Sequence, residues 1–93
     1  MNEGIRQTLY SEKKIYPTVV QYMDGSVSSI YLSGTTASGS IPNKGNATYV
    51  KLSKSVTGIG NYTFQNSYNL LSVDIPDSVG SMGIYTFMNC YAL

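Results

Sequence analysis

Ile59–Asn66 reads IGNYTFQN, and 23 residues later Met82–Asn89 reads MGIYTFMN. A period of this size limits a short chain to arrays of small units that stack on one another. Thr48–Leu70 aligns with Leu71–Leu93 without a gap. The identities are Val50/Val73, Ser55/Ser78, Val56/Val79, Gly60/Gly83, Tyr62/Tyr85, Thr63/Thr86, Phe64/Phe87, Asn66/Asn89, Tyr68/Tyr91 and Leu70/Leu93. Leu52/Ile75 and Ile59/Met82 are conservative pairs. Most of the matched positions are apolar, aromatic or glycine. The mismatches, such as Lys51/Asp74, Lys54/Asp77 and Asn61/Ile84, are mostly polar. This is the pattern expected when the matched positions hold the structure and the others face solvent.

A unit of 23 residues cannot hide its own apolar face and must stack on a neighbour. Val73, Asp74 and Ile75 suit a short strand with alternating faces, which Pro76 ends because it cannot donate to a ladder. Parallel strands are expected at 49–52 and 72–75, with right-handed stacking. The YTFMN segment predicts one helical or 3-10 turn, too short to stand as an independent helix. Val79, Met82, Phe87, Cys90 and Leu93 are expected to face inward, with Val56, Ile59, Phe64, Ser67 and Leu70 as their counterparts.

The stretch LLSVDIPDSVGSMGIYTFMNCYAL resembles the BspA-like, or Treponema pallidum-type, leucine-rich repeat. The resemblance covers residues 50–93. It is carried in the second unit by Leu70, Val73, Ile75, Pro76, Ser78, Val79, Met82, Gly83, Phe87, Asn89, Cys90 and Leu93. The first unit departs from the pattern at Ser53, where proline is usual, and at Ser67, where cysteine is usual. Thr63 and Thr86 replace the usual alanine. The resemblance implies an α/β solenoid, with short parallel strands on one side and helical or 3-10 turns on the other. It also implies a bacterial cell-surface or secreted parent with an adhesive or receptor-recognition role.

The 93 residues permit one small domain, able to bury only about 60–65% of its unfolded surface. Two units are fewer than the three a repeat array usually needs. The ladder ending at Leu93 is therefore expected to call for self-association, a partner or a longer array. Six basic and five acidic residues give a net charge of +1, without a cluster larger than Lys13–Lys14. That argues against an extended nucleic-acid surface. The opening MNEGIRQTLYSEKK has no apolar signal core, and no run approaches membrane-spanning length, so membrane insertion is not expected. The single cysteine, Cys90, excludes an intrachain disulfide and reads as a small buried hydrophobe. Asn46 and Asn61 match the glycosylation acceptor pattern, which also arises by chance in an Asn- and Thr-rich chain.

Residues 1–14 read as a loose polar terminus. Asp24-Gly25 between two β-prone runs predicts a hairpin over 15–32, with Val20, Tyr22, Ile30 and Leu32 on one face. Residues 33–46 are rich in Gly, Ser and Thr and read as a loop. Residues 47–93 carry the two units. The hairpin is open to three readings: a cap on the first repeat, a separate attachment segment, or disorder.

The chain has no histidine and no grouping suited to metal, cofactor or nucleophilic chemistry, so an enzyme is not expected. Strand alternation instead turns Tyr49, Lys51, Ser72 and Asp74 outward as a candidate binding face. Tyrosine suits such a face because it combines contact area with a hydroxyl. Two functions compete: a module that binds a protein or glycan, and an assembly module that binds no outside ligand.

Overall fold

In the computed structural model, which describes residues 16–93, the repeat is read out as backbone pairing. The proposed loose terminus, 1–14, lies outside the described residues. The strands are β1 (Thr18–Tyr22), β2 (Val27–Ile30), β3 (Gly34–Thr35), β4 (Ala47–Lys51), β5 (Val56–Gly58) and β6 (Ser72–Asp74). β4 and β6 pair in parallel, with Tyr49 beside Ser72, Val50 beside Val73 and Lys51 beside Asp74. A second contact, Ile59 to Met82, holds the same phase.

The expected α/β solenoid is not what forms. The structure is a mixed β-sheet fold, and the described residues contain no α-helix. Their only helical element is a 3-10 turn at Lys44–Asn46. The amide directions explain this. The Tyr62, Phe64 and Asn66 N–H groups donate across to the carbonyls of Ile84, Thr86 and Met88, at 3.2, 2.9 and 2.9 Å. The intervening Thr63, Gln65 and Ser67 amides donate backwards by three residues, to Gly60, Tyr62 and Phe64. Alternate amides thus leave the turn sideways, and no helical ladder can propagate. Tyr62 and Asn66 also take the left-handed conformation, at φ 64° and 66°, and Tyr85 and Asn89 repeat it at 56° and 63°. Left-handed residues break a right-handed helix.

The N-terminal half makes the sheet mixed. The order is β2-β1-β4-β6, with β1 antiparallel to both neighbours. The hairpin turn closes through Gly25 at φ 88°, whose amide donates to the Tyr22 carbonyl at 2.9 Å. β1 covers the edge of β4 that a preceding parallel strand would otherwise take. The 33–46 segment is more than a loop. β3 runs parallel to β5, Thr36 and Ile41 are buried, and Asn43 takes the same left-handed turn geometry as Asn66 and Asn89. Asn43, Asn66 and Asn89 are spaced by 23 residues, so this segment is a degenerate earlier unit whose signal sits in its turn.

The core is the inward column expected from the repeat. Val20, Val50, Val56, Phe64 and Leu70 are fully buried, with Ile59 and Leu52 nearly so. Each such side chain removed from water stabilises the fold by about 1.5–3 kcal/mol. The last unit differs. Ile59 is 1% exposed, but its counterpart Met82 is 51% exposed, and Leu70 at 0% matches Leu93 at 54%. Ile75, the counterpart of the buried Leu52, is also exposed. Among the described residues, these have a neighbouring unit on one side only. Gly60 and Gly83 recur for a steric reason. A Cβ on Gly60 would strike the Thr36 carbonyl oxygen, and one on Gly83 would strike Asn61.

The departures from the repeat pattern have local causes. The Ser53 amide donates to Thr18 Oγ1 at 3.1 Å, tying the hairpin to the first full unit. Proline, present at the equivalent Pro76, would lack that donor. Thr63 and Thr86 each return a hydroxyl to the carbonyl three residues earlier, on Gly60 and Gly83, at 2.8 and 2.9 Å. Ser67 is fully buried, and its Oγ has no partner. Cys90, at the same phase, directs its thiol to the Phe64 carbonyl at 3.0 Å.

Three variants test this packing by urea unfolding. Phe64→Ala should cost about 3–5 kcal/mol, and Phe87→Ala roughly half as much because its ring is only partly covered. Ser67→Ala should stabilise by about 1 kcal/mol, since it removes a buried hydroxyl with no partner. A destabilising Ser67→Ala, or equal losses at both phenylalanines, would contradict the packing described.

Candidate functional site

The four-stranded sheet has an inner and an outer face. Val20, Val50 and Val73 lie in register and point to the core side. One residue along, the alternation reverses. Gln21, Tyr49 and Ser72 form one outer row, and Val19, Lys51 and Asp74 form the next. On β2, Val27 continues the first row and Ser29 the second. The four residues singled out from sequence therefore come together as two adjacent pairs, Tyr49/Ser72 and Lys51/Asp74. Lys51, Ser72 and Asp74 are exposed and Tyr49 is half-buried. Sequence reasoning missed the contribution of β1. The signal was present: if Val20 and Tyr22 face the core, Val19 and Gln21 must face outward.

Two shallow depressions meet at Lys51. One is lined by Lys51, Lys54, Asp74, Ile75 and Asp77 at the strand exits. The other, more apolar, lies against Tyr16, Pro17 and Val19 and shares Lys51 and Lys54. The Lys54 ammonium stands 5.8 Å from the centre of the Tyr16 ring, within cation–π range. Among the described residues, Lys51 and Asp74 are not joined by an ion pair. Both charges are thus available to an incoming group.

Ionisable groups elsewhere are structural. Lys44 Nζ donates to the Ser38, Tyr62 and Thr63 carbonyls at 2.9, 3.1 and 3.3 Å, and desolvation pushes its pKa down. Burial pushes the Cys90 thiol up, away from reactivity. Asp24 is held below the usual carboxylate value, first by the Ser26 hydroxyl at 2.6 Å and then by the Ser26 amide at 2.9 Å. No group of His, Cys, Asp and Glu side chains suited to a metal ion occurs among the described residues. No helix there is long and apolar enough to cross a membrane.

With this geometry in view, the comparison with known families is direct. The pattern described as "BspA type Leucine rich repeat region (6 copies)" matches residues 26–93, and the chain belongs to that family. The match reaches back through the degenerate unit and into β2, well before residue 50. The chain is thus a generic repeat or binding module of a non-catalytic family. No curated protein and no solved structure matches it.

Two measurements check the electrostatics. Lys51→Ala/Asp74→Ala should change stability by less than about 0.5 kcal/mol, as exposed charges without a close contact contribute little. In an NMR titration Asp24 should protonate below 3.8, and Ser26→Ala should move its midpoint upward. Since folding lowers this pKa, the stability it supplies is present above the unfolded value and is lost as pH falls through the folded one.

Proposed function

We propose that the chain is a recognition module of an adhesive or receptor-binding protein at the bacterial cell surface or in its secretions. It binds a protein or glycan across the outer face of the four-stranded sheet. The observation that carries this reading is the pairing of Tyr49 with Ser72 and of Lys51 with Asp74, continued onto the hairpin by Gln21 and Val19. A ring, a hydroxyl and two unpaired charges of opposite sign lie side by side. The Tyr49 ring can take an apolar side chain or a sugar face, while Lys51 and Asp74 orient the polar groups around it. A protein interface commonly buries about 1,200 Å² or more, so the face would act with its flanking depressions rather than alone. A second reading, an assembly module without an outside ligand, draws support from the exposed Met82, Tyr91 and Leu93 at the other end of the repeat.

The test is binding to panels of surface proteins and glycans with wild type, Tyr49→Ala and Lys51→Ala/Asp74→Ala, each confirmed as folded. Both variants should weaken a wild-type ligand by about tenfold, the loss of one or two well-placed contacts. Unchanged affinity for every ligand found would move the site off this face.

A further inference from the structure

We propose that the depression between the tip of the β1–β2 hairpin and the 3-10 turn at Lys44–Asn46 is a second binding site, which takes a neutral, hydroxyl-rich sugar residue of a glycan. This inference is independent of the sheet-face reading. Ser28 pairs with Val20, and Tyr22 packs against the core. Both therefore lie on the core side of the sheet, opposite to Tyr49 and Lys51.

Hydrogen bonds between the two segments fix the walls. The Tyr22 hydroxyl donates to the Pro42 carbonyl at 2.8 Å, which holds its half-buried ring in place. The Met23 amide donates to the Asn46 carbonyl at 2.9 Å and ties the hairpin to the turn. Within the turn, Asn46 Nδ2 donates to Asn43 Oδ1 at 3.2 Å. Asn43 stands at φ 51°, a left-handed conformation that asparagine tolerates. The cavity enclosed by these residues has a volume of about 590 Å³, within the range of about 300–1,000 Å³ common to small-molecule sites. The Tyr22 ring, Met23 and Pro42 form its apolar wall, and Asp24, Asn43 and Asn46 its polar one.

Unused hydrogen-bonding capacity decides the ligand. Asp24 Oδ1 has a structural duty, accepting from the Ser26 amide and hydroxyl, but no partner for Oδ2 occurs among the described residues. Asn43 commits its oxygen to Asn46, which leaves its Nδ2 donors unused. Asn46 in turn keeps its Oδ1 acceptor and one Nδ2 hydrogen. The cavity thus presents a charged acceptor, an amide acceptor and amide donors around one aromatic ring. Sugar hydroxyls both donate and accept, so they can satisfy all of these groups, while the C–H face of the sugar lies on the ring. An ammonium group could pair with Asp24 but offers nothing to the amide donors. A carboxylate, phosphate or sulfate would meet the Asp24 charge, and no Lys or Arg lines the cavity to offset the repulsion. A purely apolar group would strip water from Asp24 without replacing its hydrogen bonds.

The test is an NMR titration of the full chain with methyl glycosides of mannose, galactose, glucose and N-acetylglucosamine. Sialic acid and Nα-acetyl-lysinamide serve as the anionic and cationic probes. At least one neutral glycoside should shift the side-chain amide signals of Asn43 and Asn46 saturably, with a millimolar Kd, and leave the signals of Tyr49 and Lys51 in place. The charged probes should not. Asp24→Asn keeps an oxygen for Ser26 but removes the charge, and Asn43→Gly suits the left-handed backbone but removes the amide. Each should raise Kd about fivefold or more, the loss of one directed hydrogen bond, while keeping the wild-type thermal transition. Lys51→Ala/Asp74→Ala should bind the glycoside as wild type does. No response of Asn43 and Asn46 to any neutral glycoside, a stronger response there to a charged probe, Kd unchanged in both cavity variants, or loss of binding in Lys51→Ala/Asp74→Ala would each overturn the proposal.

Discussion

The sideways row of amides from Tyr62, Phe64 and Asn66 to the next unit sets most of this structure. Each N–H can satisfy one strong acceptor. Once alternate amides point across the repeat, the turn cannot also form a helical ladder. The same row holds successive units at a constant phase. It stacks Phe64 on Phe87 with planes only 3° apart, and it brings the Gly83 backbone against Asn61 so closely that a side chain is excluded. Sheet, ring columns and glycines are consequences of one bonding direction.

In the degenerate unit at 33–46 carbonyls are taken up by side chains, and the sheet edge is taken up by the hairpin: Tyr22 bonds the Pro42 carbonyl, Lys44 bonds the Ser38 carbonyl, and β1 pairs with the edge of β4. The outer sheet face is chemically different. It is mixed in charge, with Lys51 beside Asp74, which suits selective contact.

The hairpin pairs with the edge of β4 and widens the outer face from two strands to four. Ser53 ties it to the first full unit. It departs from the proline usual in the repeat, and its amide is needed by Thr18 of the hairpin. The departure from the family pattern falls where the first full unit bonds to the hairpin.

Much of this was legible in the sequence. The 23-residue phase specifies which strands pair, because Val50/Val73 and Phe64/Phe87 can be buried together only in that register. Alternation along β4 and β6 likewise places Tyr49, Lys51, Ser72 and Asp74 on one face. Local sequence did not decide the turns. YTFQN is compatible with a helical turn taken alone, and only the neighbouring carbonyls draw its amides outward. The degenerate unit at 33–46 was hidden for a related reason. Its Gly- and Ser-rich stretch has almost no apolar phase, and Ile41 and Asn43 reveal the unit only when packed against the next. The sequence by itself determined period, register and the inward column, since these follow from the spacing of apolar residues along one chain. Tertiary structure alone decided helix against turn and the width of the outer face, because each depends on which distant backbone group receives a hydrogen bond.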